Sequence, residues 1–197
     1  MVLLFCFRAR LLTTLYITLC PVSALDKFSN EQISDIAGEV DAFGNICHIN
    51  GETGEIVYLM AEDSLIEIGI SLDDDEDRTA SGSRLPVPDW QKEMIAQEKV
   101  NIAKIDSWGE ERTIVIEKPA SHESFQIMRS FVAKVIPEGR LKEDLEEALL
   151  RSKPFRNFKT IIDNCQYRED WFKFKQTAIE EYVRDAIEAY DLRENNV

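Results

Sequence analysis

Aromatic and basic side chains are concentrated in one segment of the chain, Arg151 to Lys175. The segment holds six aromatic residues, seven Lys or Arg and three acidic residues, in a protein whose formal net charge is -14. Its own net charge is therefore +4. Such a contrast bears on the choice of partner and on solubility rather than on the fold. The segment is where the sequence most favours an anion-binding site.

Five cations of this segment are the predicted anion-binding residues: Arg151, Lys153, Arg156, Lys159 and Arg168. Pro154 fits the first turn of a helix, and the free N–H groups of such a turn favour an anion. The functional hypothesis is a phosphate-bearing ligand, such as a nucleotide or a strip of RNA backbone, with Tyr167 or Trp171 available for stacking, and the sequence by itself favours the alternative over it. The alternative needs no ligand, because a carboxylate of the same chain would pair with the cations. The candidate carboxylates are Glu123, Glu147, Glu169 and Asp170.

No other pattern indicates catalysis or metal binding. The glycine-rich, Walker, zinc-protease and serine-hydrolase motifs are absent, and the four cysteines show no Cys-x-x-Cys spacing. Cys47 and His48 are neighbours on a predicted strand, so their side chains point to opposite faces and form no nucleophile–base pair. We predict no catalytic residue, metal or cofactor. A binding or regulatory role is favoured, and an enzyme of unidentified class stays as a further alternative.

An acidic run, Asp73 to Asp77, lies in a segment, 62–85, for which we predict a flexible loop without regular structure. A calcium-binding loop is excluded, because Arg78 stands where the loop needs Gly and Arg84 where it needs Glu. The alternative function is a protein–protein interaction module. In that case residues 62–77 would recruit a basic partner by electrostatic steering.

Composition describes one globular domain. The chain has 197 residues, of which 44% are hydrophobic and 30% charged, so it holds enough apolar material for a core. The acidic balance argues against general DNA binding, which needs a basic surface. Nothing in the cysteine pattern demands a disulfide, which fits a reducing compartment.

Hydrophobic periodicity predicts an α+β fold, in which a small antiparallel sheet of about three strands packs against a C-terminal helical layer. Ser29 and Gln32 fit the capping box of a first helix. The first two strands are joined by a hairpin turn at 50–54. The predicted strands are 43–49, 55–60 and 113–117, and the predicted helices are 30–40, 90–100 and four more between 121 and 190.

The helical layer is rich in aromatic residues at helical spacing, which predicts that they share one core. The predicted members are Phe125, Phe131, Phe155, Phe158, Trp171, Phe174 and Tyr182. The domain is predicted to span 28–192, with a short tail at 193–197.

Four segments together resemble an uncharacterised bacterial protein family, UPF0158. They are Ile33-Ser-Asp-Ile-Ala37, Pro119-Ala-Ser-His-Glu-Ser-Phe-Gln-Ile-Met128, Lys153-Pro-Phe-Arg-Asn-Phe-Lys159 and Trp171-Phe-Lys-Phe174. Their order and spacing are similar to the family pattern from about Phe28 to Tyr190. The resemblance implies a bacterial, cytosolic α+β protein, and it brings no activity with it.

Residues 1–27 are predicted to be an apolar extension outside the domain. Arg8 and Arg10 precede an apolar run, Leu11 to Leu19, as in a secretory signal peptide. The run is shorter than the roughly 20 apolar residues of a membrane span. The second interpretation is a non-native start, which we favour because the family resemblance begins near Phe28. The first would mean export and the second a cytoplasmic protein.

Overall fold

The computed structural model describes residues 23–68 and 88–194. Within these ranges the chain forms three β-strands and seven α-helices. The strands are β1 (Ile46–Asn50), β2 (Ile56–Leu59) and β3 (Thr113–Ile116). The helices are α1 (Asn30–Gly38), α2 (Glu62–Glu67), α3 (Asp89–Trp108), α4 (Ser121–Val135), α5 (Arg140–Leu150), α6 (Pro154–Ile162) and α7 (Arg168–Glu194). The α+β prediction is confirmed.

Helix α1 begins at the predicted capping box. The Ser29 hydroxyl accepts a hydrogen bond from the Gln32 N–H, and the Gln32 side chain accepts one from the Ser29 N–H. The helix widens into a π-helical turn, Glu39–Phe43, and ends at Gly44 with φ of 69°. Glycine adopts this left-handed conformation without a steric penalty, which explains where the helix stops.

The sheet of the described residues is antiparallel, with strand order β2-β1-β3. The side chain of Asn50 shapes the hairpin turn, because its oxygen accepts hydrogen bonds from the N–H groups of Glu52 and Thr53. Cys47 and Ile49 of β1 point to one face, which α1 and α7 cover. His48 points to the opposite face, where α3 packs against β2 and β1.

The structure differs in part from two predictions about the middle of the chain. The segment 62–85 does not lack regular structure throughout, because Leu65 is buried and α2 forms around it. The rest of the acidic segment, from 69 to 87, lies outside the described residues. The helix predicted at 90–100 runs from Asp89 to Trp108. Its true length has little sequence signal, since Glu98 and Trp108 are the residues of α3 that become buried.

Two hydrophobic clusters make up the core of the described residues, and α7 contributes to both. The first joins α1, the sheet and the later turns of α7, with Ile179, Val183 and Ile187 buried. The second joins α4, α5, α6 and the start of α7, around Phe131 and Phe158. Helix α7 therefore fixes the position of the helical layer relative to the sheet.

The predicted aromatic core is correct for five of its seven members. Phe131 and Phe158 are buried in the second cluster, and Phe125, Trp171 and Phe174 pack against it. Tyr182 packs against the first cluster instead. Phe155 is 43% exposed, so its assignment to the core was wrong. Phe155 is the second residue of α6, and helical spacing alone does not reveal its exposure.

Residues ahead of Phe28 also pack on the fold. Ala24 is buried, and its N–H donates to the Asp191 carboxylate of α7 at 2.8 Å. The Ser23 hydroxyl donates to the same carboxylate at 2.5 Å. These contacts hold the short turn Leu25–Lys27 against the last helix.

Candidate functional site

A groove of about 290 Å³ lies where α4, α6 and α7 meet the π-helical turn that follows α1. We call it the aromatic groove. It is defined by four aromatic residues, Phe155, Phe158, Trp171 and Phe172, and by three lysines, Lys118, Lys159 and Lys175. Asp41 and Asp163 are the acidic residues of its wall. The position follows from the fold, since α6 and α7 cross α4 at this point to build the second cluster.

The floor of the aromatic groove is a rigid ring cluster. Phe158 and Trp171 meet edge to face with centroids 4.8 Å apart, and Phe131 lies behind both at 6.4 and 5.2 Å. Each such pair contributes about 0.5–1.5 kcal/mol beyond the burial of its area. Phe155 and Phe172 are each 43% exposed. Two half-exposed rings on a well-packed floor give a preformed apolar surface for a flat molecule.

One of the three lysines is neutralised by an aspartate. Lys175 Nζ lies 2.6 Å from Asp41 Oδ2, and both side chains are partly buried. Lys118 Nζ donates to the backbone carbonyl of Asp41 at 3.3 Å, and it forms no ion pair with a carboxylate of the described residues. Asp163 lies 3.6 Å from Arg168 rather than beside a groove lysine.

Lys159 is the distinctive cation of the site. Its side chain is exposed and lines the aromatic groove, and it forms no ion pair or hydrogen bond with any described residue. An exposed ammonium group that pairs with no described carboxylate can form a charge-assisted contact with a ligand anion. Of the five predicted anion-binding cations, all of them described, Lys159 is the one that lines this groove.

Two of the predicted cations stand at the start of α6. Arg151 pairs with Glu147, one turn back on α5, with Nη2 and Oε1 2.5 Å apart. This is the internal carboxylate that the sequence offered as the alternative to a ligand. Lys153 is exposed and caps α6 with a left-handed backbone, φ 60° and ψ 53°. Neither side chain lines the groove.

The other two predicted cations, Arg156 and Arg168, do not line the groove. Arg156 is exposed, has no side-chain partner among the described residues and lies outside the groove lining. Arg168 is placed by its own neighbours. It contacts Asp163 and Glu169, and its guanidinium lies 4.6 Å from the centroid of the Phe172 ring. Arg168 therefore orders an aromatic ring of the groove without lining it.

Of the two predicted stacking residues, one lines the groove and the other does not. Trp171 lines the groove, but its ring packs edge to face against Phe131 and Phe158. Tyr167 packs against the second cluster outside the groove lining. Phe155 and Phe172 are more exposed than Trp171, and they were not among the predicted ligand contacts. Their position beside Lys159 in the basic segment was the available signal.

Cys47 and His48, at neighbouring positions of β1, do not form a nucleophile–base pair. Cys47 and His48 point to opposite faces of the sheet, as predicted, and burial raises the pKa of the Cys47 thiol to about 12. Burial lowers the pKa of His48, against the opposing charge of Glu117, and its Nδ1 is buried without a hydrogen-bond partner among the described residues. The same ranges contain no group of three or more His, Cys, Asp or Glu placed to hold a metal ion.

No helix within residues 23–68 and 88–194 has the length and apolar content to cross a bilayer.

Comparison with known proteins places the chain in a family. No curated protein and no solved structure matches it. The family model of UPF0158, an uncharacterised protein family, matches residues 97–195. This range takes in the later part of α3, β3 and all of α4 to α7, and so every residue of the aromatic groove except Asp41. Since the match covers half of the chain, the protein belongs to the uncharacterised protein family UPF0158.

Proposed function

We propose that the protein is a non-catalytic binding protein, and that the aromatic groove takes a small ligand with a flat ring and a phosphate, such as a nucleotide. The observation that carries the proposal is Lys159, a cation with no partner in the described residues beside the half-exposed rings of Phe155 and Phe172. Rings of this kind stack on a base, and the ammonium group binds the phosphate.

The charges of the groove limit the charge of the ligand. Three lysines face two aspartates, and Asp41 already neutralises Lys175. Lys118 and Lys159 are left to balance a ligand with one or two negative charges, which fits a monophosphate.

The acidic protein as a whole disfavours a longer polyanion. A chain with a formal net charge of -14 repels RNA outside the local groove. Binding that followed an RNA backbone would also require a basic stripe of several phosphate contacts. A small nucleotide therefore fits this groove better than RNA does.

Three probes separate the contributions of ring and phosphate: adenosine, ribose 5-phosphate and adenosine 5′-monophosphate. Isothermal titration of the full chain should show saturable binding of the monophosphate and weaker binding of the two fragments. The affinity for the monophosphate should fall as the salt concentration rises, because the ion pair between Lys159 and the phosphate is partly exposed. A short single-stranded RNA serves as a fourth probe, and tighter binding of the RNA would contradict the small-ligand proposal.

One lysine variant and one arginine variant distinguish a ligand that binds in the aromatic groove from one that binds the cations outside it. Lys159→Ala should weaken binding of the monophosphate about tenfold, the loss of roughly one charge-assisted contact. Arg156→Ala is the matched control, because Arg156 lies on the same helix outside the groove. Equal losses in the two variants would transfer the site to the outer face of α6. No saturable binding of any probe would remove the proposal.

A cytoplasmic location in a bacterium is part of the same proposal. It is supported by the free thiols of Cys47 and Cys165 and by the reducing compartment that such thiols suit. Fractionation of cells that express the natural gene tests it, and recovery of a processed chain outside the cytoplasm would contradict it.

A further inference from the structure

Among the described residues, the two edges of the sheet differ in whether a helix covers their outward main-chain groups. At the β2 edge, the N–H of Met60 donates to Oε1 of Glu98 at 3.1 Å, and the carbonyl of Tyr58 accepts from Asn101 at 3.3 Å. Both partners are side chains of α3, and Glu98 is buried. Unpaired edge groups are sites where another chain can pair, and proteins commonly cover them. Helix α3 covers those of β2.

The β3 edge has no such cover among the described residues. The Gly51 N–H donates to the Arg112 carbonyl at 2.8 Å, which fixes the alternation of the β1–β3 ladder. The main-chain groups of Ile114 therefore point toward β1, and those of Thr113 and Val115 point outward. No hydrogen bond from a described residue reaches these outward N–H and C=O groups. The Val115 side chain is 49% exposed.

A cavity of about 680 Å³ lies beside this open edge. Its walls are β3 itself, the end of α3 with Ile105 and Asp106, and the later turns of α7 with Ala189 and Tyr190. Since α3 and α7 cover opposite faces of the sheet, a space between them at β3 lies in the plane of the sheet. A further strand would occupy that plane, about 4.8 Å from β3.

The charge of the walls selects the occupant. Asp106 and Glu110 line the cavity, and neither carboxylate is in an ion pair within the described ranges. The one arginine of the wall, Arg193, stacks over the Tyr190 ring at 5.6 Å. We propose that β3 is a docking edge for an extended, basic peptide segment of another protein, which adds as a fourth strand. Main-chain hydrogen bonds would supply affinity, and a Lys or Arg directed at Asp106 and Glu110 would supply specificity.

Selection from a random library of eight-residue displayed peptides, against the full chain, tests this inference without a known partner. Val115→Pro is the counter-target, because it removes the outward N–H of β3, and an edge strand tolerates proline at such a position. Val115→Thr is the matched control that keeps the N–H. We expect enriched peptides with alternating β-branched residues and a central Lys or Arg. Their affinity should fall at least tenfold for Val115→Pro and little for Val115→Thr.

Two further measurements keep the test decisive. Alternate N-methylation of a selected peptide should abolish its binding to the wild type, which covers the case that Val115→Pro does not fold. Asp106→Asn with Glu110→Gln should weaken the lysine peptides and remove their salt dependence. Peptides that bind Val115→Pro equally, or no enrichment at all, would overturn the inference. So would a wild-type dimer that Val115→Pro dissociates, because the occupant would then be a second copy.

Discussion

The ammonium group of Lys175 lies 2.6 Å from the carboxylate of Asp41, a residue 134 positions earlier in the chain. The pair joins α7 to the π-helical turn after α1 and forms one wall of the aromatic groove. It therefore has two effects, since it holds the sheet side of the fold against the helical layer and lowers the positive charge that a ligand meets.

Asp41→Asn separates these two effects. At about 6 Å in water, one negative charge disfavours a ligand anion by about 0.7 kcal/mol, so the affinity for adenosine 5′-monophosphate should rise roughly threefold. The free energy of unfolding should fall by about 1 kcal/mol or less. Titration and urea unfolding measure the two. Asp185→Asn, ten residues and about 15 Å further along α7, is the control that should change neither. Weaker binding by Asp41→Asn would contradict the charge argument.

Two phenylalanines of α6 should separate stability from binding. Phe158 is 2% exposed and Phe155 is 43% exposed. Phe158→Ala leaves a cavity among packed rings and should cost about 3–5 kcal/mol of unfolding free energy. Phe155→Ala should cost less than about 1 kcal/mol, yet weaken the nucleotide probe by severalfold because the ring faces the groove. Urea unfolding and titration check both, and similar stability losses would show that Phe155 is part of the core after all.

Local sequence rules predicted the parts of the fold that few neighbouring residues determine. The capping box at Ser29, the hairpin turn at Asn50 and the helix that begins at Pro154 each depend on contacts within about five residues. Helix α3 was predicted too short because Trp108 is its buried residue beyond position 100, so the last turns show no apolar period in the sequence.

Only part of the candidate site could be predicted from the sequence, because the rest depends on tertiary contacts. Residue types identified a basic, aromatic segment, and Lys159 and Trp171 of that segment do line the groove. Their orientation depends on which face of α6 and α7 is turned inward, and Arg156 is turned away. Lys118 and Asp41 come from distant parts of the chain, and one sequence holds no signal that brings them to α7.

A pair of glycines provides a test of packing in the fold. A Cβ at Gly51 would lie 2.3 Å from Cζ of the Tyr190 ring, which is held against the first cluster. Gly51→Ala should therefore lower the unfolding free energy by about 1–3 kcal/mol. At Gly38 a Cβ meets nothing within 4 Å, and the residue ends α1. Gly38→Ala should raise stability by up to about 1 kcal/mol. Thermal unfolding compares the two, and equal signs would contradict this account of Gly51.

Alkaline pH should destabilise the protein through Cys47. Burial raises the pKa of its thiol from 9.0 to about 12, so between these values the unfolded chain has lost a proton that the folded chain keeps. Unfolding is then favoured by rising pH, and stability falls across the window from 9.0 to about 12. Burial also raises the pKa of Tyr58, which adds to the fall at its upper end.

Cys47→Ala should flatten this dependence, and Cys165→Ala should leave it unchanged. Urea unfolding at pH 8, 9 and 10 measures the slope in the wild type and both variants. The unfolding free energy at any one pH will differ among the three proteins, so the quantity to compare is the change in unfolding free energy with pH. A wild-type slope that persists unchanged in Cys47→Ala would mean that another group carries it.

The hydrogen bond between Glu98 and the Met60 N–H should stabilise the cover of the β2 edge. Glu98 is buried, and its carboxylate accepts the Met60 N–H. Glu98→Leu should cost about 1–3 kcal/mol because the donor is left without its acceptor, and hydrogen exchange at the Met60 amide should become faster. Glu98→Gln keeps an amide oxygen as acceptor. It should retain most of the unfolding free energy and most of the exchange protection of the Met60 amide. Glu93→Leu, on an exposed position of α3, controls for the added apolar surface. If Glu98→Leu left Met60 as protected as in the wild type, α3 would not be what covers this edge, and the contrast between the β2 and β3 edges would lose its physical basis.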